Sequence, residues 1–501
     1  MPLITSDKRN KSITMKLSLS RSASRGLILA RRTLWLTLWF LIIPISLYSL
    51  WLDRGQSLAP LQTALMAIAI IGLIVVNLET VAVWYGRRQA NTHTRGFLQH
   101  WFSRAELLPP GVSVTHVPAD ELPFVSVIVA AYLPNEQDII VETLEHWLMQ
   151  VEAPTAGWEV ILAYNTPTRL PVEAQLQQLA QRFPALVLLP VAHSTSKAEN
   201  LNVALQRVQG TMTCIFDADH RPARDCLMRA WAWLRYGDYD GVQGRNAIRN
   251  AQDNWLTRII AVEFECIYGV SHYGRSLLAD TALFGGSNGY WNTAAIRAVG
   301  FHPARLTEDI DATLRALLQG YRIVHDPNIT TTELAPVTLR SLWLQRQRWS
   351  QGWMEVSGKY WCGVVRSPHL DQFQKTCWLI MLLYSLYFHT LIWQAIPISL
   401  SFALVDPGRD LGLETWNFVL MGVLILSMVV QVIVAIRPRS PGTPLSWGDG
   451  ATFCLLSPLY FWFKSAIALV AFYNHLCGSR TWHVTQRTRV KSKPWAVGSR
   501  S

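Results

Sequence analysis

The sequence predicts an α/β domain with a mostly parallel sheet, set between apolar helices long enough to cross a membrane. Three observations lead there. Between residues 122 and 328, β-branched apolar runs alternate with amphipathic helical periods, the order that builds βαβ units with helices on both faces. Apolar runs of about one bilayer thickness stand on either side of that stretch. Inside it, the apolar run Met212 to Phe216 stops on two carboxylates, Asp217 and Asp219. Ligands of open α/β sheets collect beyond the carboxyl ends of the strands, so these acids stand where a site is expected.

Composition narrows the class. Hydrophobic residues make up 50% of the chain and charged residues 16%, with 22 Trp, which is too apolar for a wholly soluble enzyme. The formal net charge of +11 comes from basic residues clustered beside apolar runs. That placement follows the positive-inside rule and excludes a nucleic-acid stripe. The 7 Cys are scattered without a C-x-x-C pair, so neither a disulfide framework nor a zinc site is expected, in keeping with a domain facing a reducing cytosol.

In chain order, residues 1–32 are a basic cytosolic tail and 33–88 a transmembrane hairpin, its runs at Thr33–Leu52 and Leu61–Tyr85. The first run is too long for a signal peptide and lacks a small-residue cleavage site. Residues 89–121 are a polar connector and 122–335 the α/β domain. Its expected strands are Phe124–Ala131, Trp158–Tyr164, Ala185–Val191 and the Asp-bearing run. Its expected helices include Ile139–Gln150 and one capped by Ser196. Residues 336–372 carry a Trp- and Arg-rich helix at the membrane surface. Residues 373–440 hold two further spans, at Lys375–Phe402 and Trp416–Ile436. Residues 441–478 are expected as an interfacial or re-entrant helix, because Pro458 and Lys464 interrupt the apolar run and a mid-span Lys is costly. Residues 479–501 are a basic tail.

Several short motifs carry chemistry. Two carboxylates two residues apart at a strand end can share one hard cation, Mg²⁺ or Mn²⁺, with substrate phosphate; alone, such a pair more often only opens a loop. Thr307-Glu308-Asp309 precedes a helical period; its acids suit the helix dipole, or Asp309 suits a general base. Gln345-Arg346-Gln347-Arg348-Trp349 offers guanidinium groups for phosphate and an indole for a sugar face, or a basic helix for anionic lipid. Gly285-Gly286-Ser287-Asn288 allows close backbone approach, and Lys197 stands at a helix N-terminus suited to phosphate.

In this order the motifs resemble the membrane-bound family 2 glycosyltransferases: the cellulose, chitin and hyaluronan synthases and their relatives. The likeness runs over roughly residues 122 to 355 and rests on Val125–Val129 with Tyr132 and Glu136, Lys197–Asn202, Asp217-Ala218-Asp219, Gly285–Asn288, Thr307–Asp309 and Gln345–Trp349. The resemblance implies a GT-A fold in the cytosolic domain and inverting transfer of a hexose from a nucleotide sugar, UDP-glucose or UDP-N-acetylglucosamine, to a growing β-linked polysaccharide with export. A single transfer to a lipid acceptor, or an inactive sugar-binding scaffold subunit, are the alternatives. It implies Asp309 as base with Glu308 beside it. Tyr132, Glu136, Asn165, Lys197, Asp217 and Asp219 are then expected at the nucleotide sugar, with Asp217 and Asp219 as the metal pair. Gly286, Ser287, Asn288, Gln345, Arg346, Arg348 and Trp349 are expected at the acceptor and diphosphate.

Trp482-His483-Val484-Thr485-Gln486-Arg487 is similar to a gating segment of cellulose synthases, so Trp482, Thr485 and Arg487 are gate candidates. Where the family carries a pair of acids after the second strand, this chain has Ala163-Tyr164-Asn165-Thr166-Pro167, which weakens the expected contact to the nucleotide base. Trp349 and Trp353, four residues apart, are expected to share a face suited to a sugar chain. The expected partners are the donor, a polysaccharide or lipid-linked acceptor, membrane lipids and an accessory subunit, with no nucleic acid. The expected location is a bacterial inner membrane.

Overall fold

A computed structural model describes residues 30–89, 119–405, 414–437 and 445–479. The expected gate residues Trp482, Thr485 and Arg487 lie outside the described residues.

The domain is built on one sheet of eight strands: β1 (Val125–Tyr132), β2 (Trp158–Asn165), β3 (Leu186–Pro190), β4 (Met212–Asp217), β5 (Arg221–Pro222), β6 (Gly241–Ile248), β7 (Gly289–Asn292) and β8 (Ile323–Glu333). Their spatial order is β3-β2-β1-β4-β7-β6-β8-β5. The first four strands are parallel, as the alternating pattern predicts. Successive β1 residues face opposite layers: Val127 and Val129 join one core with Trp147 and Phe216, while Ile128 and Ala130 join another with Leu201 and Ile215. A strand buried on both faces reads as a continuous apolar run, which is why β1, β2 and β4 are legible in the sequence.

The other half is mixed. β7 runs antiparallel to both β4 and β6, and β5 is antiparallel to β8. The reversal positions the site. Gly289 pairs with Ile215, so the turn before β7 enters at the carboxyl end of β4, beside Asp217.

Beyond β6 the chain runs as an α-helix Trp255–Cys266, a π-helical stretch Ile267–His272 and a further helix Tyr273–Ala279. This run packs on the apolar helices. Arg275 pairs with Glu79 of the helix Ala59–Gln89 at 2.9 Å, and Glu263 pairs with Lys464 of the helix Trp447–Leu476 at 2.9 Å. The Trp- and Arg-rich segment is one helix, Leu339–Arg366, capped by the Thr338 hydroxyl.

Among the described residues, five stretches are helical, long and apolar enough to cross a membrane: Ala30–Asp53, Ala59–Gly86, Phe388–Val405, Val419–Ile436 and Trp447–Leu476. They expose large apolar side chains, Leu404, Leu426, Leu455 and Leu459 among them, which suits a lipid surround. The chain is a membrane protein on this evidence. Two details differ from expectation. The apolar run Lys375–Phe402 is divided into helices Gln372–Ile392 and Ala395–Val405, because Pro397 brings no amide hydrogen and its ring clashes with the carbonyl four residues back. The helix Trp447–Leu476, expected as interfacial or re-entrant, is not interrupted at Pro458 or Lys464, and Lys464 is paired with Glu263.

Candidate active site

The carboxyl ends of β1, β2 and β4, the turn before β7, the loop 303–307 and one face of the helix Leu339–Arg366 enclose a cavity of about 380 Å³. Of the expected site residues, Tyr132, Glu136, Asn165, Lys197, Asp217, Asp219, Gly286, Ser287, Glu308, Asp309, Gln345, Arg348 and Trp349 line it.

Lys197 is the first residue of a helix whose N-cap is Ser196, with the hydroxyl accepting from Glu199 N. Its ammonium pairs with Asp217, donates to Gly286 O at 2.7 Å and lies 3.7 Å from Glu308 Oε1. Burial disfavours the charge, but Asp217 and Glu308 outweigh it and hold the pKa above the usual lysine value. Ser287 accepts from Asp217 N at 3.0 Å, which locks the turn to the strand end.

Asp309 opens the helix Glu308–Leu318, with Oδ1 accepting from Ile310 N at 2.9 Å. Burial, then the neighbouring Glu308 charge, push its pKa up to about 7, against the pull of Lys197 and Arg348. A carboxyl poised near neutrality is what a general base requires. Gly286 sits at φ +84°, and a Cβ there would stand 2.8 Å from Asp309 Oδ2. Only glycine allows both that backbone conformation and the approach.

Asp219 lies deeper. Its Oδ2 accepts from Leu334 N at 3.0 Å, and its Oδ1 lies 3.3 Å from His220 Nδ1. His220 Nε2 in turn meets Glu333 Oε2 at 2.7 Å. Burial would lower the imidazole pKa, but Glu333 and Asp219 raise it to about 9. Asp217, Asp219 and His220 bring ligand atoms within 4.8 Å of one another. Two hard carboxylates fit a divalent cation, and the Lys197 ammonium already occupies the cationic position against Asp217.

Asn165 donates to Ser194 O and accepts from Asn200 Nδ2, each at 2.9 Å, so its amide ties the end of β2 to the helix that Lys197 opens. Glu136 accepts from Tyr132 N at 2.6 Å and closes the loop after β1.

Two expected residues face elsewhere. Asn288, at φ +54°, turns into the sheet and donates to Arg245 O and Ile329 O, both at 3.2 Å. Arg346 is buried against Glu263 at 2.6 Å. Gln345, Arg348 and Trp349 are three and four residues apart and share the cavity face; Arg346, two residues before Arg348, is turned roughly 200° from it. The expected indole pair is also not formed. Trp349 packs with the helices beneath the domain, whereas Trp353 packs into the core under β1 and β4.

Tyr268, His220, Glu333 and Arg305 escaped sequence reasoning. His220 was adjacent to the acid pair. Tyr268 had no local signal, because the π-helical stretch that turns it into the cavity, between Phe264 and His272, leaves no periodic mark.

A family profile described as glycosyl transferase family group 2 matches residues 213–473, and a second, glycosyl transferase family 2, matches 126–297. A β-monoglucosyldiacylglycerol synthase from Nostoc sp. is 30% identical over 243 residues, 48% of this chain and 51% of its own. A poly-β-1,6-N-acetyl-D-glucosamine synthase from Staphylococcus aureus is 27% identical over 240 residues, 47% of this chain and 56% of its own. The chain therefore spans about half the length of the curated relatives it matches. A mannosyltransferase from Pyrobaculum calidifontis, solved with GDP-Man and Mn²⁺, aligns at TM-score 0.51 and 19% identity, covering 83% of this chain and 100% of that one. That likeness is one of fold, and it agrees with the GT-A arrangement expected from the motifs.

Proposed function

This chain belongs to glycosyl transferase family group 2, and from that premise we propose that it moves a hexose from a nucleotide sugar to an acceptor hydroxyl at the membrane, with inversion. The observation that carries the reading is the half-buried Asp309 carboxyl, which lines the same cavity as Lys197 and Asp217 and has its pKa raised to about 7. Asp309 takes the proton of the acceptor hydroxyl as its oxygen bonds to the anomeric carbon. The bond from that carbon to the diphosphate breaks, and the nucleoside diphosphate leaves with the electron pair. Lys197 offers positive charge to the diphosphate, Arg348 reaches the same cavity, and the Gly286 backbone permits close approach. Asp217 and Asp219 would hold a divalent cation, Mg²⁺ or Mn²⁺, which supplies further charge to offset the leaving diphosphate. Tyr132, Glu136 and Asn165 border the nucleotide end. We place the domain on the cytosolic side, because the basic residues flank the apolar runs there.

For the acceptor, a single transfer to a lipid hydroxyl is the first reading. Among the described residues one indole, Trp349, lines the cavity, and the diacylglycerol glucosylating relative is the more similar of the two. Polymer extension is the second reading, supported by likeness to the poly-N-acetylglucosamine synthase. Purified protein in vesicles with diacylglycerol is to be given UDP-glucose, UDP-N-acetylglucosamine or GDP-mannose with Mg²⁺ or Mn²⁺. Nucleotide release with one donor and a glycolipid product is expected. A product that grows in length favours the polymer reading, and no release from any donor contradicts both.

A further inference from the structure

The helices Trp255–Cys266, Leu339–Arg366 and Trp447–Leu476 meet around one carboxylate, and no motif brings attention to it. Glu263 is 4% exposed. Its Oε2 receives Arg346 Nη2 at 2.6 Å and Tyr460 Oη at 2.9 Å, while its Oε1 receives Lys464 Nζ at 2.9 Å. Two of these partners belong to the last apolar helix, and the third to the helix that walls the cavity. Arg346 lies over the Trp349 indole, its guanidinium carbon 4.3 Å from the ring centroid, and 5.7 Å from the Phe264 ring. Trp349 lines the cavity.

A buried acid needs partners or it neutralises. Burial raises the Glu263 pKa, but Arg346 and Lys464 reverse this and bring it to about 2, so the group is a carboxylate at every working pH. The Arg346 guanidinium is thus pinned at one edge by a full charge and stacked on the indole through its face. A planar cation held this way fixes the ring it covers. The chain of contacts runs from the membrane helix through Glu263 and Arg346 to the cavity wall.

We propose that Glu263 is a positioning residue for the acceptor: through Arg346 it sets the orientation of the Trp349 indole and ties that wall of the cavity to the last apolar helix. The inference rests on the reading of the cavity as a glycosyl-transfer site and adds a residue outside the cavity to it. Donor binding and proton abstraction lie at the Lys197–Asp309 end and do not pass through this cluster.

The test separates acceptor from donor effects. Glu263→Gln removes the charge and leaves Arg346 and Lys464 without a counter-ion, which risks misfolding. The double variant Glu263→Gln with Lys464→Met removes one charge of each sign, so the cluster keeps its net charge. Transfer to diacylglycerol in vesicles and donor hydrolysis to water are measured with the donor that serves the wild type. The acceptor KM is expected to rise about 3- to 10-fold in the double variant, as loss of a fixed aromatic contact implies, while donor hydrolysis and donor KM stay at wild-type values. Arg258→Ala, which cuts the outer 3.8 Å pair to Asp449 between two of the same helices, is expected to change neither constant. An unchanged acceptor KM in the folded double variant overturns the proposal, and so does a parallel fall of donor hydrolysis. A wild type that uses no donor overturns the functional reading itself, and this inference with it.

Discussion

The cavity end and the helix junction packed behind its wall use the same side-chain types for different tasks. At one end Lys197, Asp217, Glu308 and Asp309 line the cavity, with Lys197 paired to Asp217 and bonded to Gly286 O, so an entering anion would compete for a cation already held in the cleft. At the other, Glu263, Arg346 and Lys464 close on one another and offer nothing to a ligand. The first set comes from strand ends and helix N-termini, where backbone turns point side chains into the cleft. The second comes from helices packed face to face, where a charge is tolerated only when paired. A basic residue in a motif is therefore not by itself a ligand contact. On the helix Leu339–Arg366, a shift of two positions separates Arg348, which lines the cavity, from Arg346, which packs away from it.

Substitutions at the two ends should differ in size and in kind. The largest effect is expected for Asp309→Asn, which keeps the shape but cannot take the proton. Transfer should fall about 10²- to 10⁴-fold, with donor affinity within a few fold by calorimetry. Lys197→Met comes next: losing one charge-assisted contact to the diphosphate should weaken donor binding about 10- to 100-fold. Gly286→Ala forces a β-carbon toward Asp309 at a positive φ; a stability loss of about 1–3 kcal/mol is expected in urea titration, with transfer reduced as well. The smallest effect separates the two arginines. Arg348→Lys should raise the donor or acceptor constant several-fold, while Arg346→Lys should leave donor KM unchanged in the same assay. Equal donor effects at both positions would erase the distinction between the ends.

The parallel half of the sheet was legible because β1, β2 and β4 are buried on both faces and read as unbroken apolar runs. The mixed half was not. β6 carries Gln243, Arg245 and Asn246, all buried but polar, and β7 is four residues long. Such strands are fixed by tertiary partners, which no local pattern records. The acid pair, Lys197, the glycine turn and Asp309 were readable as motifs because each stands at the edge of a recognisable element. The direction of Arg346 was not readable from spacing, since it stands three residues before Trp349 on a neighbouring stripe of the helix and is drawn away from the cavity by Glu263, which is remote in sequence. Asn288 and the Trp349–Trp353 pair could not be assigned that way either. Their surroundings come from β6, β8 and the core beneath β1, which are remote in sequence.

Proton linkage gives a further difference between the ends. Asp309 has its pKa raised from 3.8 to about 7 in the fold, so the folded protein binds more protons there than the unfolded chain. Its contribution to stability is therefore largest at low pH and is lost as pH rises through the folded pKa. Asp309→Asn should flatten the fall of melting temperature across that window. Glu263, already ionised throughout it, should add no slope there.

The base assignment is tested most directly by the pH dependence of kcat/KM for glycosyl transfer, measured on wild type and Asp309→Asn with one donor. Activity that needs the Asp309 carboxylate should climb about tenfold per pH unit at low pH and level off near an apparent pKa of about 7. In Asp309→Asn the residual rate should lose that limb. A wild-type profile flat between about pH 5 and 8, or the same limb persisting in the variant, would contradict Asp309 as the group that takes the acceptor's proton.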